Sequence, residues 1–403
     1  MLFRSVSQSR YLYEALIRFA PLVSPMYHRV NVTMHTWAVP YRILWDGYSN
    51  WFTQTKDDAG NLPAFPTMSV NWNGSDYTPL LDYLGVPNPT ILGTPPVGKV
   101  NETISAMRAA AYQCVYNEFY RDENLIDPIF YKLDDGDNDY NLDLRLLRKR
   151  AWGHDYFTSN LPFAQKGDPV KLPISLRDSP VYRDRSPDTG TPTGEAVSKV
   201  DVNNVSFPTE GSELWIDNIP TDDIVGAGGL YAENSNSTAS TTINDLRLAE
   251  VLQKYLERAA RSGTRLVEWI KGMFGVTLPD YTAQRPQYIG GSKTPVSISE
   301  VLNTTGTAEL PQGNMSGRAI SAVQGKSGKY VAREHCVIIT LMSVMPETTY
   351  QQGLDRDFLK YVDAHQYLNP MFAHLGEQET SMKEIMAYVN GNDTAFGYLP
   401  RYS

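Results

Sequence analysis

The sequence is poor in cysteine and contains no long apolar run. Its 403 residues include two cysteines, Cys114 and Cys336, and neither belongs to a Cys-x-x-Cys pair, which favours folding in a reducing compartment. No window approaches the roughly eighteen apolar residues of a membrane span, so none is expected. The first residues also lack the apolar core of a signal peptide, and we expect a protein made in the cytoplasm.

An excess of positive charge is missing as well. The formal net charge is −9 at pH 7, so the chain as a whole repels phosphate backbones. A dedicated DNA-binding domain is therefore not expected. Any contact with nucleic acid needs a local basic patch or a separate basic partner.

Glycine, proline and aromatic residues are abundant instead. The 29 glycines and 26 prolines interrupt the chain too often for long helices to dominate, while 41% hydrophobic residues suffice for a large core. Residues 28–45 alternate between two faces and predict a long strand that ends near Pro40. Residues 329–346, which are almost continuously apolar from Cys336, predict a buried strand. We therefore expect an antiparallel β core.

Helical periods occupy two stretches. Apolar residues at three- and four-residue steps predict an amphipathic helix from Thr103, acting as N-cap, to about Arg121. Residues 243–276 predict two helices that are interrupted at Gly263 and end before Gly275. Both stretches favour core-packing or contact helices over cofactor sites.

Residues 168–243 show no period and are rich in Ser, Thr, Gly, Asn and Asp. Connections of this length are usually exposed functional insertions or partly disordered segments. We expect one domain over residues 1–403, with 168–243 as a long exposed insertion within it.

Two segments resemble ligand-binding loops. The sequence QGKSGK, residues 324–329, contains the Gly-Lys-Ser of a phosphate loop, but Ile320 stands where the first glycine belongs and a strand follows instead of a helix. The acidic segment DDGDNDYNLD, residues 134–143, has the carboxylate spacing that opens a calcium loop but lacks its glycine and its closing glutamate. A solvated acidic turn is favoured there, and ion binding is left open.

The segment RKRAWGHDYFTSNLPFAQKG, residues 148–167, combines basic residues, aromatics and the adjacent pair His154 and Asp155. Adjacent side chains point in different directions on a strand or a helix, so these two are poorly placed to exchange a proton. The six histidines lack metal-ligand spacing, and no Gly-x-Ser-x-Gly elbow is present. We predict no catalytic residue, no cofactor site and no metal site.

The same segment carries a family resemblance. Its part WGHDYFTSNLPFAQKG resembles a signature of the major capsid proteins of the Microviridae, the small icosahedral single-stranded DNA phages, particularly their gokushovirus-like branch. Other segments match in the same order, namely ALIRFAPLVSPMYHRVNV, AVPYRILW, AYQCVYNEFYRDENL, LRLAEVLQKYLERAARSGTRLVEWIKGMFGV, RPQYIGG, EHCVIITLMSVMPETTYQQGL, FAHLGEQ and FGYLPRY. The family pattern predicts that this chain begins later and stops earlier than its relatives, and whether so short a chain closes a shell unaided is left open.

The resemblance implies an all-β core formed by a single eight-stranded antiparallel jelly roll with long loop insertions and several helices. It implies a non-enzymatic protein of the virion that self-assembles, in the host bacterial cytoplasm, into a small icosahedral shell around circular single-stranded DNA. The implied partners are other copies of the chain, the packaged DNA, a small basic DNA-packaging protein, a minor pilot protein and a host surface receptor. The insertion 168–243 is expected to form a surface protrusion used in host attachment.

The basic residues Arg148, Lys149 and Arg150 are then expected either to pair with acidic neighbours or to face the packaged DNA, and pairing is the commoner use of such clusters. Two other classes stay open. A carbohydrate-binding β-sandwich shares the aromatic content but normally carries a secretion signal. A β-rich glycoside hydrolase needs two carboxylates at a defined separation, such as Glu118 and Asp155.

Overall fold

The computed structural model describes most of the chain. The described residues are 8–20, 22, 28–56, 58–92, 100–171, 181–182, 196–197, 231–232, 242–302, 315–362, 364–367, 369–372, 376–391 and 394–400. The chain divides into two compact units, one formed by Met1–Lys166 with Glu257–Ser403 and the other by Gly167–Leu256.

Strands outnumber helices in the described ranges. The strands are β1 Gln8–Arg18, β2 Val30–Pro40, β3 Thr67–Asn71, β4 Asn101–Ser105, β5 Val181–Tyr182, β6 Ala196–Val197, β7 Tyr231–Ala232, β8 Gln287–Pro295, β9 Ser297–Leu302, β10 Met315–Val331, β11 Cys336–Pro346, β12 Glu377–Ser381 and β13 Ala395–Pro400. The α-helices are α1 Tyr41–Leu44, α2 Tyr48–Thr53, α3 Pro79–Tyr83, α4 Met107–Phe119, α5 Ile243–Ser262 and α6 Leu266–Phe274. Short 3₁₀ turns occupy Pro89–Leu92, Leu142–Arg145, Arg356–Leu359, Ala364–Gln366, Pro370–Phe372 and Met382–Glu384.

Two three-stranded sheets form the centre of the first unit. Their strand orders are β1-β10-β9 and β11-β2-β8, and every pairing is antiparallel. The sheets are in contact, because the Tyr13 hydroxyl of β1 donates to Ser292 Oγ of β8 at 2.8 Å and Ser321 Oγ of β10 donates to the Pro295 carbonyl at 3.3 Å. The remaining pairs are β3 with β4, β12 with β13, and β5 with both β6 and β7 in the second unit. The predicted antiparallel β architecture is confirmed.

Strand β2 is the central strand of its sheet and matches the sequence prediction. It ends at Pro40, as the proline predicts, since a residue without an N–H group cannot continue a central ladder. Its apolar residues Val32, Ala38 and Val39 are fully buried. The predicted strand around 329–346 is present as the end of β10 and the whole of β11. Its predicted burial is wrong: only Cys336 of β11 is buried, while Met342 and Val344 are 54% and 39% exposed, because β11 is an outer strand of the β11-β2-β8 sheet.

The largest core cluster forms around α4. Ala110, Ala111 and Val115 of this helix are fully buried together with Leu44 and Trp45, which are 0% and 1% exposed. The prediction of an amphipathic helix capped by Thr103 is wrong about the N-cap and about the amphipathic character. Thr103 lies in β4, where it pairs with Ser69 of β3, and the helix begins at Met107. The helix is buried almost all round, because small alanines let neighbouring elements approach from several sides.

The two helices predicted in 243–276 are confirmed as α5 and α6. Gly263 interrupts them with φ of 94°, and Gly275 caps α6 in the left-handed region with φ of 71°. The segment 324–329 lies inside β10, which confirms that a strand rather than a phosphate-loop helix occupies this region. The predicted insertion 168–243 lies almost entirely outside the described residues.

Candidate nucleic-acid interface

The basic segment 148–150 follows the 3₁₀ turn Leu142–Arg145, and its three side chains have different environments. Arg148 is neutralised: its Nη2 lies 2.7 Å from Asp143 Oδ1, and its Nε donates to Gln113 Oε1 at 3.1 Å. The Arg148 amide also donates to the Tyr112 hydroxyl at 2.9 Å, so α4 fixes this residue from two positions. For Arg148, the pairing alternative describes what the structure shows.

Arg150 differs because its hydrogen bonds go to neutral groups. Its Nη1 donates to Ser343 Oγ of β11 at 3.0 Å and to Thr33 Oγ1 of β2 at 3.3 Å, and its guanidinium lies 5.2 Å from the centre of the Tyr120 ring. Among the described residues no carboxylate lies within ion-pair distance of Arg150. Lys149 is exposed and likewise has no ion-pair partner within the described ranges.

Arg150 lines a cleft of about 370 Å³, which we call the basic cleft. Asn31 and Thr33 of β2 and Lys293 of β8 line one side of it. Residues of the segments 150–155 and 345–348 line the rest. The charged or aromatic side chains that line it are Arg150, Trp152, His154, Asp155, Lys293 and Glu347. Small-molecule sites in proteins start at about this size.

Lys293 lies beside Arg150 because of strand register. Thr33 is paired directly with Lys293 on one side and with Ser343 on the other. Directly paired residues share a face of the sheet and lie roughly 5 Å apart. Arg150 is hydrogen bonded to Thr33 and Ser343. Lys293, Thr33 and Ser343 form a row of paired residues across the three strands, so Lys293 is the neighbour of Thr33 on the side away from Ser343. Lys293 is exposed and, within the described part of the chain, makes no ion pair.

Asp155 is held in a structural role. Its backbone N–H donates to Thr158 Oγ1 at 2.8 Å, while the Thr158 amide donates back to Asp155 Oδ1 at 2.7 Å. Oδ2 accepts from the Thr348 hydroxyl and from the Tyr350 hydroxyl, the latter at 3.2 Å. Partial burial raises the pKa of Asp155, but these hydrogen bonds outweigh it, so the pKa lies below its usual range.

His154, by contrast, is exposed at the cleft, and the Asp155 carboxylate hydrogen bonds described above go to other residues. The pair therefore shows no acid–base geometry. Asp155 instead ties the aromatic turn to the segment after β11, through the hydroxyls of Thr348 and Tyr350.

A polar network lies behind Arg150. The Tyr120 hydroxyl accepts from Trp37 Nε1 at 3.1 Å and lies 2.8 Å from His35 Nδ1. Burial raises the pKa of Tyr120 to about 12. Burial and then the positive charge of Arg150 lower the pKa of His35, whose Nδ1 shares a hydrogen bond with the Tyr120 hydroxyl. Sequence patterns gave no sign of this network, since its members come from distant segments.

The acidic segment 134–143 is a braced turn. Asp135 Oδ1 accepts from Trp45 Nε1 at 2.6 Å, and Asp139 Oδ1 accepts from the Ser69 amide at 2.7 Å and pairs with Arg145 at 2.5 Å. Burial raises the pKa of Asp139, but the hydrogen bonds from Ser69 and the charge of Arg145 bring it below its usual value. The described residues contain no group of three His, Cys, Asp or Glu side chains that could hold a metal ion.

Comparison with known proteins places the chain in a family. The sequence model of the family described as capsid protein (F protein) matches residues 12–403. The chain belongs to this family. The resemblance to the major capsid proteins of the Microviridae is thereby confirmed.

Relatives of this capsid protein support the assignment over nearly its whole length. It is 32% identical over 462 residues to capsid protein VP1 of Chlamydia phage 1, covering 96% of this chain and 75% of the relative. It is 32% identical over 408 residues to capsid protein VP1 of Bdellovibrio phage phiMH2K, covering 96% and 73%. Capsid protein VP1 of Spiroplasma virus 4 is 31% identical over 423 residues, covering 95% and 72%.

This capsid protein is therefore a structural component of a phage virion and not an enzyme. Membership of a capsid family also implies self-assembly into a shell. Within the described ranges, no helix combines the length and apolar character that crossing a membrane requires.

Proposed function

We propose that this capsid protein assembles into a small icosahedral shell that encloses circular single-stranded DNA, and that assembly takes place in the host bacterial cytoplasm. The observation that carries the proposal is the family match, which runs over residues 12–403. Its partners are then other copies of the chain, the packaged strand, a small basic DNA-packaging protein, a minor pilot protein and a host surface receptor. A separate basic partner suits a chain of net charge −9, because the shell protein alone cannot neutralise the packaged phosphates.

We further propose that the first unit contains the eight-stranded jelly roll of the family. The sheets β1-β10-β9, β11-β2-β8 and β12-β13 contribute three, three and two strands, which add up to eight. Antiparallel pairing in these sheets and the long excursions from β2 to β8 and from β11 to β12 both support this architecture.

The insertion 168–243 is proposed to form an outward protrusion that meets the host surface. Two observations support this. The segment is polar and lacks a period, so it has little material for a core. The boundaries of the second compact unit, Gly167 and Leu256, are also close to those of the insertion. Deleting residues 186–238 should leave particles intact but without projections and unable to attach to host cells.

The shell is tested by expressing the chain with and without its phage partner proteins and examining the product by sedimentation and electron microscopy. Uniform small particles are expected in the presence of the partners. Sedimentation as a monomer alone, with partners and at every ionic strength would contradict the proposal.

A further inference from the structure

Two cations, Arg150 and Lys293, and two carboxylates, Asp155 and Glu347, line the basic cleft, and the difference in their partners points to an anionic ligand. Its cations Arg150 and Lys293 have no carboxylate partner among the described residues, as shown above. The carboxylates are held by groups other than these cations: Asp155 accepts several hydrogen bonds, and Glu347 Oε1 accepts from Asn31 Nδ2 at 3.0 Å and lies 3.9 Å from Arg29 Nη1. The half-buried Arg150 guanidinium contacts hydroxyls and a ring, so its positive charge is available for a charge-assisted hydrogen bond to an anionic ligand.

An aromatic side chain stands at the same cleft without a ring partner. The Trp152 side chain is 51% exposed, and no aromatic ring of the described residues stacks on it. An indole face of this kind beside two cations is the arrangement with which proteins bind single strands, where phosphates meet basic groups and bases stack on aromatic rings. A duplex keeps its bases paired and stacked, so it cannot use this face.

We propose that the basic cleft binds one nucleotide of single-stranded DNA, with its phosphate at Arg150 and Lys293 and its base stacked on Trp152. This inference rests on the proposed function, since it names the contact that the shell makes with its packaged strand. It also assigns different roles to Arg148 and Arg150 of the basic segment. Arg148 is neutralised by Asp143 and serves the fold, whereas Arg150 serves the ligand.

The cleft volume of about 370 Å³ is enough for about one nucleotide. Neutral sugars are disfavoured as the ligand, because a sugar would leave both cations unpaired and would find the cleft carboxylates already engaged. Binding of a phosphate weakens as the salt concentration rises. On a single strand, the logarithm of the binding constant falls by about 0.7 per tenfold increase in salt for each phosphate contact, and we call this dependence the salt slope.

The test uses the purified full chain and a fluorescein-labelled oligo(dT) of ten nucleotides, followed by anisotropy at several salt concentrations. The variants Lys293→Ala and Trp152→Ala change exposed side chains, so both should fold, which circular dichroism checks. Each should weaken binding at least about fivefold, the lower end for loss of one stacked base. Lys293→Ala should also lower the salt slope by about 0.7, whereas Trp152→Ala should leave it unchanged.

Matched controls lie outside the cleft. Lys56→Ala removes an exposed lysine, and Tyr388→Ala removes an aromatic side chain that is 93% exposed, and both should change affinity less than twofold. Equal losses in the controls would overturn the assignment. So would competition by inorganic phosphate as effective as that by thymidine monophosphate, or cleft-dependent binding of a neutral oligosaccharide instead of DNA.

The outcome is separable from that of the shell proposal. A chain that forms particles, yet binds oligo(dT) equally well without Lys293 and Trp152, loses only the cleft assignment. A chain that binds oligo(dT) through the cleft and never forms particles with its partners loses the shell.

Discussion

A pair of carboxyl groups makes the stability of the first unit depend on pH. Glu268, in the first turn of α6, is hydrogen bonded to Glu123, which follows α4. Arg265 Nη1 lies 3.3 Å from Glu268 Oε1 and 3.5 Å from Glu123 Oε2, so one guanidinium serves two acids. Burial, followed by the hydrogen bond and the charge of Glu123, raises the pKa of Glu268 from 4.5 to about 7.

The sign of the effect follows from linkage. A carboxyl group whose pKa is higher in the folded than in the unfolded state binds its proton more tightly when folded. The stabilisation is present below about pH 4.5 and is lost as the pH rises to about 7. The raised pKa corresponds to about 3 kcal/mol in full. The Glu268 side chain is 39% exposed, and solvent screening reduces the expected effect to about 1–2 kcal/mol.

The variant Glu268→Gln imitates the protonated acid at every pH. We expect it to match the native chain near pH 4.5 and to exceed its free energy of unfolding by about 1–2 kcal/mol at pH 8. Urea unfolding at both pH values, followed by tryptophan fluorescence, measures the difference. Glu250→Gln, an exposed acid paired with Lys254, should leave the dependence between these pH values unchanged. Parallel stability curves for Glu268→Gln and the native chain would refute the reasoning.

Three further changes have defined outcomes. Asp155→Asn should lower the free energy of unfolding by about 1–3 kcal/mol, since it weakens bonds from Thr158 and Thr348, and urea unfolding at pH 7 measures this. Leu44→Ala should cost about 2–5 kcal/mol, because a fully buried side chain leaves a cavity; a smaller loss in the free energy of unfolding, measured with urea, would contradict it. Burial raises the pKa of Cys114 to about 12, so a thiol reagent at pH 8 should label it only after denaturant is added.

Local patterns predicted the elements whose limits are set by local chemistry. The proline that ends β2 and the glycines that bound α6 act through the backbone of their own residues, so the sequence shows them directly. Thr103 failed as a helix cap because the competing interaction, its pairing with Ser69, comes from a separate segment. Local capping preference does not reveal a strand partner.

The candidate site was predictable only in part. The basic segment was visible in the sequence, but the row that joins Lys293, Thr33 and Ser343 depends on the register of three strands far apart in the chain. The same holds for Asp155, whose partner Thr348 lies 193 residues away. The different fates of Arg148 and Arg150 follow from those long-range contacts and not from their neighbours in sequence.

The order of strands in the β11-β2-β8 sheet also has a consequence for synthesis on the ribosome. Strand β2 is the middle strand, yet both of its neighbours lie more than two hundred residues downstream, at 287–295 and 336–346. At roughly 5–20 residues per second, β2 waits on the order of 15–60 s for its second neighbour. During that time its apolar residues and both hydrogen-bonding edges are open to other nascent chains. High local concentrations of polysomes would therefore favour wrong pairing, and a chaperone that shields an extended apolar segment should raise the yield of native protein.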